Sequence, residues 1–224
     1  MPMPKRGEVV RQLGDAFRKY KKQLGALISL EVGKILAEGE GEVQEVIDLC
    51  DMAVGMSRRI GGRVFPSERP SHYMIENWNP IGIIGVITAF NFPTAVFGWN
   101  LAISMICGNL TMWKGSETTQ LVSVAVTKII QGVFEKHGVP GGVATLVCGL
   151  GTTVGQAMVT NKDVALISFT GSTWVGKIIA KQVAERFGKA ILELGGNNCS
   201  IICPDANLDL ALMGCTFGAC GTTG

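Results

Sequence analysis

The sequence predicts an α/β fold: a mostly parallel sheet with helices on both faces, preceded by a helical segment and a β arm. Three observations carry it. From Ile81 onward, short apolar runs alternate with longer helical patterns, the signature of βα units. The runs are continuous rather than alternating, as in strands covered on both faces. The composition, 47% hydrophobic and 17% charged with 30 glycines in 224 residues, is that of a globular α/β chain.

Val10, Leu13, Phe17, Tyr20, Leu24 and Leu27 recur at steps of three and four, which predicts a helix over 6–38. A glycine-containing break near Gly39–Gly41 precedes a second helix over 42–56, with Val43, Val46, Ile47, Cys50 and Val54 on one face. Residues 61–80 hold Gly61-Gly62, Pro66, Pro70 and Pro80, and His72–Trp78 alternates as a strand does, so this stretch reads as a β arm. Beyond it, strands are expected at 82–88, 109–114, 143–148, 164–169, 190–193 and 199–203. Helices are expected at 94–107, 118–136, 152–160, 174–187 and 206–220. The division is thus 1–60 helical, 61–80 arm, 81–224 α/β core.

Charge and cysteine usage exclude several functions. Net charge is +2 and scattered, with no basic run to suggest nucleic acid. Seven cysteines without CxxC spacing and no evident signal peptide read as reduced thiols in a cytoplasmic setting, most of them small buried hydrophobes. His72 and His137 alone argue against a His-based zinc site or a Ser-His-Asp triad. No Asp, Glu, Lys or Arg occurs from Asn77 to Trp113, yet Asn91, Pro93, Asn100 and Asn109 interrupt that stretch, so a buried strand and helix are expected there rather than a membrane span.

The chemistry-bearing residues fall after successive strands, where parallel sheets bind ligands. Gly171-Ser172 ends one strand and opens a helix, where free N–H groups suit a pyrophosphate. Any strand-to-helix turn also needs small residues. Gly149 and Gly151 follow another strand. Lys114 and Glu117 lie at a third, where by themselves they read as solvated surface charges. Asn91, in Ala89-Phe90-Asn91-Phe92-Pro93, either donates its amide to an oxyanion or caps the next helix. Glu193, before Leu194-Gly195-Gly196, ends a short apolar strand; either it stands beside apolar walls and takes a proton from water, or it faces solvent.

Together, Phe-Asn-Phe-Pro at 90–93, Phe169-Thr170-Gly171-Ser172-Thr173 with Val175-Gly176, and Glu193-Leu194-Gly195-Gly196 resemble the aldehyde dehydrogenase superfamily. Asn197-Asn198, Asn79-Pro80, Phe97-Gly98-Trp99-Asn100 and Gly41-Glu42-Val43-Gln44-Glu45 resemble its antiquitin branch, over nearly the whole chain. The resemblance implies an NAD-binding domain of that family. NAD would be held by Lys114, Glu117, Gly149, Gly151, Gly171, Ser172, Leu194 and Gly195. It implies Asn91 as oxyanion donor, Glu193 as the base that activates water, and Glu45 facing the ammonium of an amino-acid semialdehyde such as aminoadipic semialdehyde. No metal, nucleic acid or membrane is implied; the partner is the aldehyde substrate, and the full-length protein is expected to be a homotetramer. A glutamate beside the ribose favours NAD over NADP. In the family the nucleophilic cysteine follows the Glu-Leu-Gly-Gly glutamate by about 34 residues in a Gly-Gln-x-Cys turn. Gly224 would be the glycine of that turn, so the expectation is an interior fragment lacking the cysteine. A non-catalytic dinucleotide-binding or interaction fragment remains the alternative.

Overall fold

A computed structural model describes residues 1–223; the expected catalytic turn at Gly224 lies outside them. Two long helices come first, α1 (Met3–Val32) and α2 (Leu36–Met56). They pack side by side through Val10, Leu13, Phe17, Val43, Val46, Ile47 and Cys50, all buried. The break between them is Gly33-Lys34-Ile35, not Gly39–Gly41. Gly33 takes φ 88°, a left-handed cap that its missing Cβ permits. Gly39 stays helical because it serves a close crossing: a Cβ there would stand 2.5 Å from Ser29 Oγ, and one at Gly25 would stand 2.8 Å from the Glu40 backbone nitrogen.

Next comes a two-stranded antiparallel ribbon, β1 (Val64–Pro66) and β2 (Tyr73–Ile75), with Phe65 opposite Met74. Every residue of it is exposed. The core sheet follows: β3 (Ile83–Ile87), β4 (Leu110–Lys114), β5 (Ala144–Leu146), β6 (Val164–Gly171) and β7 (Lys189–Leu194). Its order is β5-β4-β3-β6-β7, parallel throughout. Chain order runs outward from β3 in both directions, so the topological switch point lies between β3 and β6.

Helices cover both faces. On one, α1, α2, α3 (Ala95–Cys107) and α4 (Gln120–His137) enclose the larger core. Phe97 of α3 stacks on Trp113 of β4 with ring centroids 4.0 Å apart, and the buried indole N–H donates to Thr88 Oγ1 at 3.0 Å. On the other, a short π turn (Gly151–Gly155), α5 (Gln156–Thr160) and α6 (Thr173–Glu185) pack on Ile167 and Phe169. The helix expected at 152–160 therefore starts as a π turn.

Two further expectations are corrected. Residues 199–203 form no strand: the apolar Ile201-Ile202 pair is exposed, and no neighbouring strand pairs with it among the described residues. The cysteines are not mostly core. Cys50 is buried and Cys107 and Cys215 are half-buried, but Cys148, Cys199, Cys203 and Cys220 are exposed. Cys215 and Cys220 belong to α7 (Leu208–Cys220), which buries none of its residues, so apolar composition there is not matched by packing.

Candidate functional site at the carboxyl edge of the sheet

Strand register places the candidate residues on one edge. Ile87, the last residue of β3, pairs with Lys114 on one side and Phe169 on the other; Phe169 pairs with Leu192 and Thr170 with Glu193. The turns that carry Asn91, Lys114, Ser172 and Gly195 therefore leave the sheet at nearly one level. Asn91 and Ser172 follow β3 and β6, so they flank the crevice at the switch point, where open α/β sheets bind ligands.

Of the helices that begin at this edge, α3, α4 and α6 differ at their N-termini. At α3, Thr94 N and Ala95 N donate to Glu42 Oε1 at 2.6 and 3.0 Å. At α4, Leu121 N and Val122 N donate to the two carboxylate oxygens of Glu31 at 2.9 and 2.8 Å. Both ends already hold an anion, supplied by the helical hairpin. At α6 only Ser172 Oγ caps, accepting from Val175 N at 3.3 Å, and Ser172 and Thr173 are exposed. Since a helix start favours negative charge, α6 is the one of the three still open to a phosphate. Gly171 must be glycine there: a Cβ would stand 2.6 Å from the Phe169 ring. Thr173 Oγ1 donates to the Gly195 carbonyl at 3.1 Å, which joins the α6 start to the Glu-Leu-Gly-Gly loop.

Lys114 is buried, and its Nζ donates to Glu117 Oε2 at 3.1 Å and to the Gly115 carbonyl at 3.0 Å. Glu117 itself is exposed. Its own backbone N–H, then Lys114, hold its carboxyl below the usual range. An exposed carboxylate oriented from below by an ammonium is suited to accept ribose hydroxyls. Gly149 has φ 155° and Gly151 opens the π turn, with open space where its Cβ would be. These features fit a dinucleotide: phosphate at α6, ribose at Glu117, backbone approach at Gly151.

Asn91 does not cap α3. The N-cap is Thr94, and no hydrogen bond among the described residues engages the Asn91 side-chain amide. Its carbonyl instead accepts from Lys34 Nζ at 2.7 Å. Glu45 is half-buried on α2, one turn past Glu42; burial, then Glu42, raises its carboxyl, with Lys34 opposing. Glu45 thus lies within the field of Lys34, the residue that holds the Asn91 carbonyl. Glu193 is exposed on β7, an edge strand; the apolar walls expected beside it are not formed by the described residues.

Sequence reasoning missed Glu31, Lys34 and Glu42. A charged residue in a helical pattern normally reads as solvent-facing. The available signal was Gly33-Lys34, a lysine just past a helix end in an otherwise apolar stretch.

The profile of the aldehyde dehydrogenase family matches residues 1–224. The chain is 59% identical to alpha-aminoadipic semialdehyde dehydrogenase from Bos taurus over all of its length, which is 41% of that protein. It is 55% identical to aldehyde dehydrogenase family 7 member A1 from Malus domestica, again over all of its length and 44% of the relative. The chain therefore spans about two fifths of the length of the curated relatives it matches. Among solved structures, PnpE in complex with nicotinamide adenine dinucleotide superposes with a TM-score of 0.91 at 29% identity, covering 99% of this chain and 45% of that one. Glyceraldehyde-3-phosphate dehydrogenase GapN from Methanocaldococcus jannaschii, complexed with NADP, gives 0.92 at 32% identity, covering 98% and 47%.

Proposed function

Because this chain belongs to the aldehyde dehydrogenase family, we propose that it supplies the NAD site, the oxyanion donor and the water-activating base for oxidation of an amino-acid semialdehyde, such as aminoadipic semialdehyde, to its carboxylate. The observation that carries this is the shared placement of Asn91, Glu117, Ser172 and Glu193 at one edge of the sheet, with α6 the open helix start. NAD, when bound, accepts the hydride. Ser172 and the α6 N–H groups hold its phosphates, and Glu117, steadied by Lys114, accepts its ribose hydroxyls. Gly149, Gly151, Leu194 and Gly195 line the approach.

The nucleophile is the family's cysteine thiolate. Its attack on the aldehyde carbon puts charge on the carbonyl oxygen, to which Asn91 donates; losing one such donor costs roughly 10²–10³ in rate. Loss of hydride leaves a thioester. Glu193 then takes a proton from water, the resulting hydroxide adds to the thioester, and the thiolate leaves with release of the acid. Glu45 pairs with the substrate ammonium. Residues 1–60 brace the core 81–224, and the ribbon within 61–80 is the assembly arm of a homotetramer in the cytoplasm.

Glu193→Gln in a family-length enzyme carrying these residues tests the assignment. A single burst of NADH near one per active site, followed by no turnover, is expected; normal steady-state turnover overturns it. The 224-residue chain alone has a second reading, favoured by an α7 with no buried residue: it binds dinucleotide without oxidising aldehyde. Calorimetric titration of that chain with NAD, beside an aldehyde assay, decides it.

A further inference from the structure

We propose that Lys34 and Glu42 form a buried positioning device for Asn91, an inference that rests on Asn91 being the oxyanion donor. The turn 91–94 joins β3 to α3 and is held from both sides by the helical hairpin. Glu42 Oε1 takes the N–H groups of Thr94 and Ala95. Glu42 Oε2 lies 2.6 Å from Lys34 Nζ, an ion pair whose two side chains have no solvent exposure. The same ammonium donates to the Asn91 carbonyl at 2.7 Å and stands 4.2 Å from the centre of the Phe92 ring. Lys34 therefore holds residues 91 and 92, and Glu42 holds 94 and 95, while the Asn91 amide stays uncommitted.

Helix capping alone does not account for this arrangement. Thr94 sits at the N-cap with a hydroxyl suited to the task. Its Oγ1 is buried and has no partner among the described residues. Thr94 has φ -113° and ψ -51°, in the αR region, and its hydroxyl makes no cap; the helix start is bound instead by a carboxylate 52 residues earlier in the chain. Burying that carboxylate and its ammonium carries a desolvation penalty on each ion that their attraction must offset. What the pair adds over a threonine cap is a fixed path for the backbone that aims Asn91. Such rigidity matters because a donor is effective only where it meets the developing oxyanion, and misplacement by about 1 Å can cost 10²-fold.

A double-mutant cycle in a family-length enzyme tests the device. Glu42→Gln, Asn91→Ala and the double variant are compared by the pre-steady-state rate of NADH formation at saturating aldehyde, with NAD affinity and thermal midpoint measured alongside. Glu42→Gln keeps an oxygen for the two N–H groups but loses the charge that seats Lys34. The expected result is about a tenfold slower acylation with unchanged NAD affinity, and no further slowing when Glu42→Gln is added to Asn91→Ala. Equal slowing in both backgrounds overturns the inference and leaves a structural role; so does a wild-type rate in Glu42→Gln. Should that variant not fold, Lys34→Arg, which keeps the charge but not the point geometry, is read by the same cycle. Normal acylation by Asn91→Ala removes the oxyanion reading, and this inference with it; that single variant separates the two failures.

Discussion

Leu194, the last residue of β7, rests on Gly176 of α6: a Cβ at Gly176 would stand 2.8 Å from Leu194 Cδ1 and closer still to Cδ2. The contact fixes the height of α6 over the strand that carries Glu193. Gly176→Ala is expected to push Leu194 aside. Leu194 is 38% exposed and has room to swing outward, and alanine gains about 1 kcal/mol of helix propensity over glycine. The thermal midpoint should therefore move by only a few degrees. NAD affinity should fall several-fold, because Leu194 leads into the Gly195 carbonyl bonded by Thr173. Unchanged affinity by titration would sink this link between packing and cofactor.

The proposed preference for NAD over NADP rests on Glu117. Its carboxyl is held below the usual range by its own backbone N–H and by Lys114, so it is charged at every working pH. A 2′-phosphate meets a negative charge there. Glu117→Gln removes the repulsion and leaves Lys114, so the ratio of kcat/KM for NADP to that for NAD should rise on the order of tenfold. An unchanged ratio places the discrimination elsewhere.

Glu45 offers a pH test with a definite sign. Its carboxyl is raised, first by burial and then by Glu42. If it binds the substrate ammonium, KM for an amino-acid semialdehyde should climb as pH falls through that raised value, while KM for a simple aliphatic aldehyde stays flat. Stability follows the same proton. The folded chain holds it to higher pH than the unfolded chain does, so the burial cost is absent below the unfolded value, grows as pH rises from there, and levels off above the folded one. Glu45→Gln should raise the thermal midpoint at pH 8 and leave it unchanged at pH 4. A parallel rise of both KM values with falling pH would exclude the ammonium contact.

Thiol reactivity should divide along burial. Cys50 is packed between α1 and α2, and burial pushes its thiol up to about 12. Cys107 is raised by burial as well. Iodoacetamide at pH 8, followed by mass spectrometry of peptides, should label Cys148, Cys199, Cys203 and Cys220 in the native chain and spare Cys50 until denaturant is added. Early labelling of Cys50 would mean that the helical hairpin opens.

The sheet was legible because a doubly covered parallel strand has a plain signature. Ile83–Ile87 is an uninterrupted apolar run, and the structure keeps its bounds within a residue. The same rule misled at 199–203, where Ile201 and Ile202 are apolar but have no strand beside them to complete a ladder. Glycine was ambiguous for a related reason. Gly39 and Gly33 look alike in sequence, but one lets two helices approach and the other turns the chain, and only the partner at Gly25 distinguishes them. Asn91, Lys114 and Ser172 could be placed because they follow strands. Glu31, Lys34 and Glu42 could not, since their partners lie 52 to 91 residues further on.

That separation has a kinetic consequence. The α1–α2 hairpin is built from local contacts and closes early at small entropic cost. Its carboxylates at positions 31 and 42 then wait, desolvating only as α4 and α3 arrive on them. Substitutions inside the hairpin core should accordingly slow refolding, whereas loss of the Glu31 or Glu42 carboxylate should chiefly hasten unfolding. Stopped-flow refolding of Leu13→Ala beside Glu31→Gln would measure that order of assembly. The segment that comes first in the chain would then be the template on which the helices of the cofactor sheet are seated.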